Sequence, residues 1–134
     1  MEIRKANQKD YKRLVISLRN VFVANPYINK NYLKQDIENN ACYIIEENNK
    51  IVAIASLVYD TKYGMHYIKR LCVPNKKMRS KGYAKELIAY LKEQKKPVAI
   101  TPWKENVAMR RLVEKLGFEF QYSFQENYML YLSN

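Results

Sequence analysis

Residues 71–91, LCVPNKKMRSKGYAKELIAYL, constrain the fold of this chain more than any other stretch. They run from an apolar segment through a basic turn with one glycine into a pattern of helical period. Ala84, Leu87, Ile88 and Leu91 fall at i, i+3, i+4 and i+7, which puts them on one face of an α-helix. The residues before Pro74, His66 to Val73, suit a strand, because Tyr67, Ile68, Cys72 and Val73 are β-favouring or readily buried. The turn therefore opens directly on a helix N-terminus. There the first N–H groups lack intrahelical partners and the helix dipole gathers partial positive charge. A phosphate suits that position, Gly82 permits close approach to the backbone, and Lys76, Lys77, Arg79 and Lys81 add positive charge around it. The same residues also describe a solvated basic loop that caps a helix, and the turn alone does not decide between the two.

A length of 134 residues fits one domain, residues 1–134, with one core. A hydrophobic fraction of 48%, arranged periodically, indicates a folded chain. No apolar run reaches about 18 residues, and Met1-Glu2-Ile3-Arg4-Lys5 lacks a signal-peptide core, so a soluble, cytoplasmic protein without a membrane partner is expected. Cys42 and Cys72 lie in predicted strands without C-x-x-C spacing and read as buried free thiols. With a single histidine in the chain, no metal site is expected. The net charge of +11 invites a polyanion, either nucleic acid or a phosphorylated small molecule, without choosing between them.

In chain order, Glu2 to Ala6 reads as a strand and Asn7 as an N-cap, with Asp10 completing a capping box. A helix over residues 8–22 then buries Tyr11, Leu14, Val15, Leu18, Val21 and Phe22, and a shorter one follows around Tyr32, Leu33 and Ile37. Residues 41–47 and 50–59 form a hairpin turned at Asn48-Asn49, since asparagine tolerates positive φ. The strand from residue 65 completes an antiparallel meander. Strand 66–73, the helix after it and strand 98–101 make a parallel crossover. A last helix buries Ala108, Leu112 and Leu116 and ends at Gly117, before a hairpin around Gln125-Glu126-Asn127.

Three motifs then make the chain resemble the GNAT (general N-acetyltransferase) superfamily. Arg79, Gly82 and Ala84 match Gln/Arg-x-x-Gly-x-Gly/Ala on a strand-loop-helix, and Asn106 followed by a helix ending in Gly117-Phe118 matches a second signature. Ile3-Arg4-Lys5-Ala6 with Asp10 matches an opening Ile-Arg-x-Ala-x-x-x-Asp. The resemblance implies a mixed α/β fold, a mostly antiparallel sheet with a splayed parallel strand pair and flanking helices. It also implies acetyl-CoA as acyl donor and a small-molecule or peptide amine as acceptor. By the same resemblance, pantetheine pairs with the backbone of Leu71, Cys72 and Val73, with an N–H near Cys72 polarising the thioester carbonyl. The phosphates sit on the loop Lys77, Met78, Arg79, Ser80, Lys81, Gly82, Tyr83 and Ala84, and Asn106 reaches the cofactor from the other side. Residues 23–40, with Tyr27 and Tyr32, are expected to wall the acceptor pocket, and a homodimer is a frequent assembly of such chains.

The implied chemistry is attack by an amine on the thioester. The amine must first lose a proton, for which His66, Glu46, Glu47 and a water chain are the candidates. The family often carries a tyrosine seven residues after the asparagine to protonate the leaving thiolate, but here that position is Val113. Tyr122, Tyr128 or Tyr90 could substitute, or the thiolate could leave unassisted. The turn from Val73 to Arg79 is also one residue longer than the commonest form. Two other readings stay open: a non-catalytic acyl-CoA-binding module, which Val113 favours, and an RNA-directed (aminoacyl-tRNA) acyltransferase, which the net charge favours. No RNA-binding signature accompanies that charge, so nucleic acid is not the expected partner.

Overall fold

The computed structural model describes residues 2–125 and 127–133. Asn7 starts the first helical segment as expected. Its side chain accepts from the Lys9 backbone N–H, and the Asp10 carboxylate accepts from the Asn7 N–H at 2.8 Å. This capping box begins a 3-10 turn, Gln8–Asp10, so the α-helix proper, α1 (Tyr11–Ala24), starts three residues later than the periodicity predicts. Leu14 and Leu18 of α1 are fully buried, with Tyr11, Val15, Val21 and Phe22 packed around them. The short helix α2 (Lys30–Glu38) is capped by Asn29 and buries Leu33, Asp36 and Ile37.

The strands are β1 (Glu2–Lys5), β2 (Cys42–Glu47), β3 (Lys50–Asp60), β4 (Met65–Cys72), β5 (Val98–Ile100), β6 (Glu119–Phe124) and β7 (Tyr128–Leu132). They form one sheet among the described residues, in the order β1-β2-β3-β4-β5-β7-β6. Asn48 and Asn49 both take positive φ, 53° and 63°, as a tight hairpin with right-handed strand twist requires. Every pairing is antiparallel except β4 with β5. Helix α3 (Tyr83–Gln94) makes that parallel crossover and buries Tyr83, Leu87, Ile88 and Leu91, while Ala84 is only half-buried. The sheet thus separates two apolar layers. Leu14, Leu18, Leu33, Ile37, Cys42, Ile44 and Ile54 fill the α1/α2 side, and Ile68, Leu87, Ile88, Leu91, Val98, Val113 and Tyr131 are in the core on the α3 side.

Helix α4 (Val107–Lys115) departs from the expected face. Ala108 is exposed, and the buried stripe is Met109, Leu112, Val113 and Leu116. These four keep the i, i+3, i+4, i+7 spacing, whereas Ala108, Leu112 and Leu116 drift around the helix. Strand β5 also ends at Ile100, one residue early, although the chain stays beside β7: the Met129 N–H donates to the Pro102 carbonyl and Trp103 bridges Tyr128. Glu126, in the expected turn between β6 and β7, lies outside the described residues.

Asp10 anchors the first strand and helix together. Its carboxylate receives both Arg4 terminal nitrogens at 2.8 Å and the Asn7 amide, and its side chain is 5% exposed. The Arg4 hydrogen bonds hold it below the usual carboxylate range. A depressed carboxylate contributes stability above its unfolded value, near pH 3.9, and loses it as pH falls through the folded value. Asp10→Asn should therefore cost roughly 2 kcal/mol at pH 7. Denaturant melts of parent and variant should converge as pH drops below about 4; a gap that persists in acid would show that the carboxylate charge is not the cause.

Candidate active site

The parallel pairing is short. It runs from His66↔Val98 to Ile68↔Ile100, while β4 continues to Cys72. Beyond Ile68 the two strands diverge, and the edge of β4 that faces β5 has no strand partner there. The strand also carries a bulge. Ile54↔Cys72 and Ser56↔Lys69 set one residue of β3 against two of β4, with Arg70 at φ 55°. A left-handed non-glycine residue costs roughly 1–2 kcal/mol, so something must hold it there. Bidentate hydrogen bonds at 2.7 Å from Arg70 to the buried Asp36 do so.

A cleft of about 1750 Å³ opens at this divergence. Leu71, Cys72 and Val73 line one wall, Asn106, Ala108, Met109 and Leu112 another, and the turn after β4 a third. That turn is fixed from within. Asn75 caps a 3-10 turn, Lys76–Met78, by accepting from the Lys77 N–H, and the Arg79 Nε donates to the Val73 carbonyl at 3.0 Å. Ser80 and Gly82 then adopt φ 70° and 85° to swing the chain into α3. An added Cβ at Gly82 would meet nothing within 4 Å, so the space over this helix N-terminus is open for a ligand.

The structure brings eleven of the twelve expected cofactor-binding residues to this cleft: Leu71, Cys72, Val73, Lys77, Met78, Arg79, Ser80, Gly82, Tyr83, Ala84 and Asn106. Lys81 instead lines a smaller adjoining cavity with Glu47, Asn48 and Tyr83. Asn106 caps α4 by accepting from the Met109 N–H at 3.1 Å, so the hydrogen-bonding group it retains for a ligand is its amide NH2. Arg13, Arg19, Lys50, Lys76, Lys77, Arg79 and Lys85 make the lining strongly basic, and no carboxylate is among the described lining residues. The contribution of α1 through Arg13, Ser17, Asn20 and Val21 goes beyond the sequence reading, which treats that helix as core alone. Its exposed Arg13 and Arg19 are the signal that was available.

The candidate proton-transfer groups lie elsewhere. His66 pairs with Val98 at the start of β4, with its ring edge-on to Tyr59 at 4.9 Å, and burial with nearby Lys95 lowers its pKa. It is absent from the cleft lining, as are Glu46 and Glu47. Hydrogen bonds from Arg13 and Arg4 hold Glu46 below the usual carboxylate range, and Glu47 accepts from the Tyr83 hydroxyl. Tyr122 is exposed on edge strand β6, and Tyr128 stacks on Phe124 and packs tilted against Trp103, with ring centroids 5.4 and 5.1 Å away. Tyr90 packs on Tyr43. Val113, at the family's tyrosine position, is fully buried in the core. No group of three metal-ligating side chains exists among the described residues, and no helix is long and apolar enough to cross a membrane.

A sheet parted at a parallel pair, with a glycine-led helix N-terminus and a basic wall at the gap, defines an α/β protein suited to an extended, phosphorylated ligand. The chain belongs to the acetyltransferase (GNAT) family, whose sequence profile matches residues 6–118. The fold is similar to that of a GNAT acetyltransferase from Bacillus cereus (19% identity, TM-score 0.81, covering 99% of this chain and 96% of that one). It is similar also to one from Streptococcus agalactiae (16% identity, TM-score 0.82, covering 98% and 94%). A third similar structure is a diaminobutyrate acetyltransferase from Paenibacillus lautus, solved with L-2,4-diaminobutyric acid and coenzyme A (17% identity, TM-score 0.73, covering 98% and 92%). A search of curated proteins found no match.

The two thiols are unpaired, and burial pushes Cys42 up to about 12 and Cys72 up to about 11. Only the thiolate alkylates, so at pH 8 Cys72 should react on the order of a hundredfold, and Cys42 on the order of a thousandfold, more slowly than a free cysteine. Cys72, which lines the cleft, should label before the fully buried Cys42 when mass spectrometry follows iodoacetamide; the reverse order would contradict the packing described.

Proposed function

We propose that residues 1–134 form a single acetyl-CoA-dependent N-acetyltransferase domain, which transfers acetyl to a primary amine of a small molecule or peptide by direct attack. The observation that carries this reading is the left-handed Gly82, opening the α3 N-terminus onto a basic cleft at the parted strands. In this reading the amides of Arg79 to Ala84 hold the pyrophosphate, with Lys76, Lys77 and Arg79 neutralising charge. Pantetheine lies along Leu71 to Val73, where β4 has no strand partner, and the Asn106 amide donates from the opposite wall. Acetyl-CoA supplies the activated acetyl thioester. A backbone N–H near Cys72 stabilises the carbonyl oxygen as the amine adds. The C–N bond forms, the C–S bond breaks, and the thiolate leaves with the electron pair. Two free thiols agree with a reducing, cytoplasmic setting.

The basic lining also bears on the acceptor. A polyamine would bring several positive charges to a cleft with no acidic side chain among its described lining residues, so a monoamine is the better fit. Titration of acetyl-CoA by calorimetry should show binding to the parent and at least a hundredfold loss in Gly82→Glu, which puts a negative side chain in the open space. The parent should then acetylate monoamines faster than polyamines. Failure of the parent to bind acetyl-CoA at low millimolar concentration would end this reading.

Burial of Val113 favours a second reading, a module that binds acyl-CoA without turnover, because no residue at that position can protonate the thiolate. Turnover distinguishes the two. With neither carboxylate nor histidine among the described residues that line the cleft, release of the amine proton to water is the route the enzymatic reading takes, and a thiolate of pKa about 8.5 is a tolerable leaving group. The kcat/KM should therefore rise tenfold per pH unit towards the pKa of the acceptor, and His66→Ala should keep it within about twofold. A plateau near pH 6–7 that His66→Ala abolishes would restore His66 as the base.

A further inference from the structure

Arg70 and Asp36 belong to none of the three family motifs, and neither lines the cleft. They are nevertheless tied to its most sensitive wall. Side chains alternate faces along a strand, so counting from Ile68, which packs on the α3 side, Arg70 would point into that apolar core. The extra residue of the bulge prevents this. Arg70 turns to the α2 side and meets Asp36, after which Leu71 returns to the α3 core and Cys72 packs with the α1/α2 layer. The bulge and the ion pair therefore require one another.

Among the described residues, no buried side-chain nitrogen or oxygen of this pair is left without a partner. Asp36 takes two bonds from Arg70 at 2.7 Å and one from the Ser56 hydroxyl at 2.5 Å. The guanidinium lies over the Tyr32 ring at 4.6 Å. Asp36 and Tyr32 both ride on α2, Ser56 sits on β3 beside the bulge, and Arg70 directly precedes the two residues of β4 that line the cleft. The phosphate turn has its own fastening, through Asn75 and the Arg79–Val73 hydrogen bond.

We infer that Asp36 and Arg70 are positioning residues for acyl transfer. Their ion pair locks the β4 bulge, which fixes the attitude of the Leu71–Cys72 backbone toward the thioester and ties it to α2. This rests on the acetyltransferase reading above. It separates turnover from donor binding: loosening the pair disturbs the reacting carbonyl's position and leaves the phosphate turn intact.

Three variants test it. Asp36→Asn keeps shape and removes charge, and Arg70→Lys keeps charge and removes the fork. The double variant Asp36→Asn/Arg70→Gly leaves no buried ion unpaired and accepts φ 55° without strain. In Asp36→Asn and the double variant, amide exchange at residues 70–72 should accelerate at least tenfold while residues 79–84 keep the parent rate. Acetyl-CoA affinity should stay within threefold and kcat should fall at least tenfold, with Arg70→Lys recovering part of it. Unchanged exchange at 70–72 in the double variant overturns the proposal, as does acceleration spread evenly over the sheet, which marks a merely structural role. If the parent acetylates no amine, the enzymatic reading falls by itself, and exchange at 70–72 still decides whether the pair holds the bulge.

Discussion

The site depends on the divergence of β4 from β5. Two parallel strands that stayed paired to their ends would satisfy each other's backbone groups and close the sheet. Here only three residue pairs form, and β4 runs four residues further. Unpaired backbone donors and acceptors survive at a sheet centre only where a ligand or water can reach them. On one side of the gap the bulge at Arg70 re-aims β4; on the other, the chain beyond β5 follows β7, with the Pro102 carbonyl accepting from the Met129 N–H and Trp103 bridging Tyr128.

The elements around the gap divide the labour. The apolar stripe of α3 fixes the helix against β3 and β4, so that its N-terminus lies where β4 ends. Positive φ at Ser80 and Gly82 gives the turn its shape, and only the glycine lacks a Cβ to obstruct the space in front. Asn106 caps α4 and thereby brings a second helix N-terminus to the same cleft. On the far side, Arg13 is held by Glu46, which Arg4 holds in turn, and Asp10 joins Arg4 to the cap of the first helical segment. A cleft cation is in this way braced by the first strand.

Much of this was legible because local rules carried it. The capping box at Asn7, the Asn48-Asn49 hairpin, the α3 stripe and the glycine-led turn each follow from short-range chemistry, and eleven expected cofactor residues gather where the motifs suggest. What escaped the sequence is long-range. Nothing in the run Ile68-Lys69-Arg70-Leu71 announces a bulge, because Asp36, the partner that Arg70 meets there, is 34 residues away. The inward face of α4 was misjudged at Ala108 because small apolar residues suit a cleft rim as well as a core. The tyrosines offered as acids illustrate the same limit: residue type is visible in a sequence, but Tyr122 on an edge strand and Tyr128 among aromatic rings gain their surroundings only from the fold.

The charge balance follows from the same geometry. A net charge of +11 reads at first as a general affinity for polyanions, yet seven cations converge on one cleft that no described carboxylate lines. Three carboxylates of the surrounding elements are committed elsewhere: Glu46 to arginines, Glu47 to Tyr83, and Asp36 to Arg70. Leaving one in the cleft would repel a phosphorylated ligand and lower the field that draws it in. Among the described residues, the arrangement that favours such a ligand also leaves no carboxylate or histidine lining the cleft. On the acyl-transfer reading proposed above, catalysis there would rest on positioning and on backbone dipoles, which makes the attitude of two residues on β4 consequential.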